Sequence, residues 1–267
     1  MRRHEVFWGT LLVVLGVLFF LKTAGYLSGD VFGWFWPFCI VAAGVWVLLG
    51  GGFRQDAEIR RSSGFSVPLQ GAREATLTIN HGVGRMELTA GAEGNDFVTG
   101  LAAASMNRSA RRVGDRLEVR LETGPSFLPF VGPPGGVWSY RLNPGVPTAL
   151  VVHAGASQLK LELGSLQVTR LDYDGGVGSL EVSLPAEVAM FVSQIRAGAS
   201  SLRLRVPYGV AARLSIQNVG SLSIDTSQFV PRESGVYQSA DYQTASKRAD
   251  ITIEGGATSI RVDQEAS

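Results

Sequence analysis

Gly155-Ala156-Ser157-Gln158-Leu159-Lys160-Leu161 sets a phrase that the chain repeats through its second half. It returns as Gly176-Val177-Gly178-Ser179-Leu180-Glu181-Val182, as Gly198-Ala199-Ser200-Ser201-Leu202-Arg203-Leu204 and as Asn218-Val219-Gly220-Ser221-Leu222-Ser223-Ile224. A last copy, Gly256-Ala257-Thr258-Ser259-Ile260-Arg261-Val262, stands near the end, and Gly82-Val83-Gly84-Arg85-Met86-Glu87-Leu88 anticipates the set. The four consecutive copies start 21, 22 and 20 residues apart. A fixed period of this length marks a stacked repeat, in which each unit buries its apolar side only against its neighbours.

Around the phrase, apolar and polar residues alternate strictly. The apolar sets are Leu159, Leu161, Leu163; Leu180, Val182, Leu184; Leu202, Leu204, Val206; and Leu222, Ile224. Period two with polar partners means strands with one buried face. Each repeat then turns, at Gly164-Ser165, Pro185-Ala186 or Pro207-Tyr208-Gly209, into a second strand such as 166–173, 188–195 or 211–216. Glycine and small residues at the corners let successive rungs approach closely. The outward positions read Lys160, Glu181, Arg203, Ser223 in one column and Glu162, Ser183, Arg205, Asp225 in the next. If consecutive repeats are consecutive rungs, ~4.8 Å apart, no immediate neighbours carry like charge.

Ahead of the repeats lie two apolar runs. Val6 to Leu21 holds 16 residues without a charge, and Val31 to Phe53 holds 23. A helix crossing a bilayer needs ~20 residues, so both runs read as spans, with Lys22 snorkelling. Trp8, Trp34 and Trp36 fall near the expected interfaces. A cleaved signal peptide fits less well, because no small-x-small site ends the first run and a second run follows at once. Arg2 and Arg3 precede the hairpin and Arg54, Arg60 and Arg61 follow it, whereas its connection carries only Lys22. The positive-inside rule then places both termini and the β-domain in the cytoplasm.

The predicted organisation is a two-helix transmembrane hairpin (1–52), a juxtamembrane linker (53–73) and an all-β domain (74–264). The β-domain is expected as a single-stranded, right-handed β-helix-like solenoid with repeats of about 21 residues. The segment 122–148 interrupts the pattern. It is rich in Pro and Gly and carries Phe127, Leu128, Phe130, Val131, Trp138 and Tyr140. It reads either as an apolar loop that docks on a partner or the membrane, or as a cap over the first rung.

Catalytic chemistry is hard to find. The net charge of the 267 residues is +1, and the three basic and two acidic residues of the first 52 leave the rest neutral, so no overall field draws the chain to nucleic acid. Cys39 is alone, which excludes an intrachain disulfide and a Cys-based zinc site. His81 and His153 sit before the repeat corners, where other repeats carry Asp174 or Glu254, and read as interchangeable polar turn residues. Asp172 and Asp174 lack an acidic partner rung and read as a solvated face. Arg108, Arg111, Arg112 and Arg116 lack interleaved aromatics and read as a strand edge rather than a nucleic-acid site. The glycine triplets precede strands and offer no helix N-terminus to a phosphate. No catalytic, cofactor-binding or metal-ligating residue is nominated, and the expectation is a protein that is not an enzyme.

The chain resembles the LiaF/LiaI-like bacterial membrane proteins, in which a hydrophobic hairpin precedes a toast-rack, adhesin-type β-repeat domain. The hairpin likeness rests on Phe7-Trp8-Gly9, Gly16-Val17-Leu18 and Phe35-Trp36-Pro37. The more specific part is Asn143-Pro144-Gly145-Val146-Pro147 followed by Gly155-Ala156-Ser157. Together these cover about residues 6–50 and 140–262. The resemblance implies a protein anchored in the inner membrane of a bacterial cell, part of the envelope-stress system, whose β-domain acts on a sensor histidine kinase. Three functions follow from sequence: a regulator or scaffold binding a membrane protein, an extracytoplasmic adhesin or glycan-binding rod, and a self-associating polymer-forming scaffold.

Overall fold

The computed structural model describes residues 63–102, 106–123, 137–256 and 258–264. The expected hairpin, linker residues 53–62 and residues 124–136 of the aromatic segment lie outside the described residues. Among the described residues no helix is long and apolar enough to cross a membrane. The described part is all-β, and its strands join in one large mixed sheet.

Four strands carry the architecture: β2 (Glu74–Ala90), β7 (Thr148–Glu162), β8 (Val168–Ser183) and β9 (Met190–Val206). At 15–17 residues each is far longer than an ordinary strand of ~5–6. The burial pattern explains the length. In β9 the inward residues are Phe191, Ser193, Ile195 and Ala197, then Leu202, Leu204 and Val206. Successive side chains in a strand point to opposite faces. The shift from odd to even therefore means that the strand bends across 198–201 while the core stays on its inner side. A change of parity of the same kind occurs in β2 and β8, and from even to odd in β7. The glycine phrase is thus a bend inside an unbroken strand, and only the corners at 163–167, 184–189 and 207–210 are turns.

The remaining strands are β1 (Ser63–Pro68), β3 (Asp96–Ala102), β4 (Met106–Val113), β5 (Arg116–Thr123), β6 (Val137–Leu142), β10 (Ala211–Gln217), β11 (Ser221–Ile224), β12 (Phe229–Glu233), β13 (Val236–Ser239), β14 (Arg248–Gly255) and β15 (Ser259–Gln264). The first halves of the bent strands build a first face, ordered β4-β5-β2-β7-β8-β9-β14-β10-β13-β12. The second halves build a second face, ordered β1-β3-β6-β2-β7-β8-β9-β15-β11. The core runs between them. Leu77, Leu150 and Leu171 line it from the first face; Leu88, Leu161, Val182, Leu204 and Val262 line it from the second.

The glycines have a direct physical reason. A Cβ on Gly155 would stand 2.5 Å from the carbonyl oxygen of Gly82, and one on Gly198 would stand 2.7 Å from that of Gly176. Each bend packs so closely on the previous rung that a side chain there would enter its backbone.

Rung order corrects the sequence reading. The rung beside β9 is not the next one in the chain. β14 and β15 pair with β9, and β10 and β11 pair on their far side, all in parallel. The last copy of the phrase therefore sits between the third and the fourth. Its Gly256 allows approach to Gly198, and the Thr258 hydroxyl, fully buried, donates to the Gly198 carbonyl at 2.7 Å. The fourth copy begins instead with Asn218, a residue that tolerates the left-handed φ of 54° found there, and it forms the outermost rung of the second face. The outward column consequently reads Glu87, Lys160, Glu181, Arg203, Arg261, Ser223. Charges alternate over the first four positions as expected, but Arg203 and Arg261 are neighbours. Asp263 on the adjacent column resolves the repulsion by accepting from Arg203 Nε at 3.0 Å and Arg261 Nε at 3.2 Å.

The ends of the stack differ from expectation in two further places. Residues 63–68, read in sequence as linker, form β1, which pairs with β3 and buries Phe65 and Val67. In the aromatic segment, Trp138 and Tyr140 belong to β6 and are buried at 4% and 0% exposure, so neither is free to dock. They fill the end of the core, with Tyr140 edge-on to Phe65. The edge strand β4 presents Arg108, Arg111 and Arg112 to solvent, which discourages addition of another strand. The Arg108 guanidinium also lies over the Phe65 ring, 5.3 Å from its centroid.

Candidate binding face

Outside the second face, side chains line up in columns across the bent strands. One column is Arg85, Gln158, Ser179, Ser201, Ser259, Ser221. Its serines are too short to fill the space between their neighbours. On one side stands the charged column that begins at Glu87. On the other, at the crest of the bends, stand Val83, Ala156, Val177 and Ala199 in register. Val83 is 53% exposed and Val177 60%, so the crest is an apolar ridge facing water. Over the serine column and the charged column beside it runs an open trough of 460 Å³ whose walls include Arg85, Lys160, Glu181 and Arg203.

The charged wall is held in place by its own ion pairs. Lys160 reaches Glu162 at 3.0 Å, and Arg205 pairs with Glu181. The Glu162 partner holds the Lys160 ammonium above its usual pKa. These pairs are partly exposed and contribute little stability each. What they supply is a fixed pattern of alternating charge on a rigid sheet.

The acidic residues and histidines singled out in the sequence fall elsewhere, and the structure does not bring them together. On the first face, Asp172 accepts from Arg170 Nε at 2.8 Å, and Asp174 lies 4.0 Å from Arg196, as a solvated face would have it. His153 faces outward on β7 and is exposed. His81 is different. It aligns with Ala154, Gly175 and Ala197, not with His153, whose counterpart is Asn80. Counting back from the glycine of each phrase reveals this one-residue offset. His81 is buried at 2% exposure, edge-on to Trp138, and neither ring nitrogen has a hydrogen-bond partner. Burial holds its pKa below the ordinary value.

A buried neutral imidazole has a consequence for acid stability. The unfolded chain binds a proton near the ordinary His pKa of about 6.5, while the folded ring resists it. Stability is therefore full above that pH and is lost as the pH falls towards the lower folded value. A His81→Leu chain is expected to lose less stability than the parent between about pH 8 and about pH 5, measured by urea midpoints. Parallel losses in the two chains would show that the ring does not titrate on unfolding. Among the described residues no three His, Cys, Asp or Glu side chains are grouped to hold a metal ion.

The family described as the N-terminal domain of toast_rack matches residues 55–205. The chain belongs to the toast-rack family. The matched stretch runs through β1 to the end of β9, so the crossing of the last rung lies beyond it. The toast-rack fold is also seen in a crystal structure of a candidate cell adhesion protein from Clostridium sporogenes ATCC 15579. That structure has a TM-score of 0.69 and 17% sequence identity, covering 76% of this chain and 99% of the other. No curated protein matches.

Proposed function

We propose that this toast-rack chain is a membrane-anchored, non-enzymatic scaffold that binds a protein partner through the outer side of its second face. The observation that carries the reading is the trough itself. It is a strip of serines between an apolar ridge and a charged wall. Apolar contact flanked by ordered charges is the composition of a protein-binding surface. The two apolar runs of the N-terminus supply the anchor, and the arginines on their flanks favour a cytoplasmic β-domain. A sensor histidine kinase is the partner that the LiaF/LiaI resemblance suggests for testing first; nothing in the fold or in the similar proteins points to one.

Adhesion is the second reading, favoured by the likeness to the clostridial protein. It needs the β-domain outside the cell. A reporter fused after Ser267 that is active on one side of the membrane separates the two readings. Cytoplasmic activity is expected, and external activity would leave adhesion standing and remove the cytoplasmic scaffold.

A further inference from the structure

The outer side of the second face is complementary to itself, and from this we propose that it docks on a second copy of the chain, face to face, with the two stacks running in opposite directions. The proposal rests on the scaffold reading and names the occupant of the same surface.

A two-fold axis along the strands, between β7 and β8, sets every column opposite the same column reversed. In the charged column Glu87, Lys160, Glu181 and Arg203 follow one another in adjacent strands. Reversed on itself, that order brings Glu87 against Arg203 of the second copy and Lys160 against its Glu181. On the ridge the order Val83, Ala156, Val177, Ala199 brings each valine against an alanine, so large side chains meet small ones. Next to the charged column, Arg141 and Asp263 stand at the positions that meet, giving another opposite-charge pair. In the serine column Arg85 meets Ser201 and Gln158 meets Ser179.

The neighbouring alignments fail on charge. Sliding one copy by a rung sets Lys160 on Lys160 and Glu87 on Glu181, or sets Lys160 on Arg203 and Glu181 on Glu181. Running the stacks in the same direction with the charged columns superposed sets each charge against its own kind. Repulsion of this sort selects register and partner more strongly than it adds affinity. Twisted sheets pack face to face with nearly aligned strands, about 10 Å apart, a separation that long charged side chains bridge. The patch covers on the order of 500 Å² per copy from strand spacing and rise, which is at the small end of specific interfaces. A weak, reversible pair is expected. Lys160 and Arg203 are already held by Glu162 and Asp263, each at 3.0 Å, so less side-chain freedom is lost on docking.

The test is charge exchange in the full chain. Two differently tagged copies are expressed in one membrane, and the second is measured in the capture of the first. Lys160→Glu alone, or Glu181→Lys alone, is expected to lower co-capture by about tenfold or more, because each variant sets like charges opposite. The double variant K160E/E181K is expected to restore it, as is the mixture of one K160E copy with one E181K copy. Since both positions are at the surface, restoration by the mixture also shows that each single variant folds. Absent co-capture of the parent, single variants that bind like the parent, or a mixture no better than the singles would each overturn the proposal. Capture of another protein by this face without a second copy would remove self-docking and keep the scaffold reading.

Discussion

Ending the chain after Lys247 is expected to collapse the β-domain, although it removes only the C-terminal residues 248–267. In a stack built in chain order, those residues would be an outer rung and their loss would be tolerated. Here β14 and β15 stand between β9 and the β10-β11 rung. Truncation removes an inner layer. Ile251, Ile253, Ile260 and Val262 are buried at 0–3% exposure. At ~1.5–3 kcal/mol for each buried aliphatic side chain, their burial alone amounts to about 6–12 kcal/mol. That is the size of the whole stability of an ordinary domain, ~5–15 kcal/mol. The cut also strips β10 of its parallel partner and leaves Leu202 and Leu204 of β9 facing water. Limited proteolysis of full and truncated chains checks this. The truncated chain should be degraded throughout its β-domain, and unchanged protection of residues 63–206 would contradict the rung order.

Gly178→Ala should be the most damaging single substitution among the bends. Gly178 has φ of +143°, outside the range comfortable for an L side chain, and its Cβ would stand 1.8 Å from the Ser157 carbonyl oxygen. The obstacle is backbone, paired in register between β7 and β8. Relief requires parting the two strands at the bend, which also disturbs the crest and the trough. A loss of at least about 3 kcal/mol is expected, in the range reserved for steric conflict in packed structure. Gly164→Ala is the matched control, since that turn has no atom within 4 Å of an added Cβ. Its stability should stay within about 0.5 kcal/mol of the parent. Equal effects at the two glycines would mean that close approach at the bend is not what the phrase encodes.

The repeat, the all-β class and the buried side of each strand can be read from sequence because alternation and glycine spacing are local signals. Leu159, Leu180 and Leu202 lie inward as their spacing requires, and their outward neighbours form the columns described above. Rung order cannot be read the same way. Parallel pairing joins residues far apart in the chain, so chain order alone does not say which copy lies beside the one at Gly198, although the copy at Gly256 shares four of its seven residues and the copy at Asn218 only two. A further hint is the replacement of the opening glycine by Asn218, which marks a rung with no further neighbour on the second face. Burial of Trp138 and Tyr140 is hidden by the prolines and glycines before them, which mask a short strand. His81 falls out of alignment when it is matched to His153 by residue type rather than by distance from the glycine. The trough is legible only in pieces. Its serines and charges are visible in each phrase, but the exposed valine-alanine ridge depends on where the strands bend.

The measurement that bears most directly on the scaffold reading is site-specific photocrosslinking in native membranes. A photoreactive side chain is placed at Val177 on the ridge and, in a separate chain, at Asp174, which is exposed on the first face before the bend. A discrete protein adduct at Val177 and none at Asp174 is the expected result, and its mass identifies either a second copy or another partner. Adducts at Asp174 alone, or none at either site, would contradict the assignment of the second face as the surface through which this chain works.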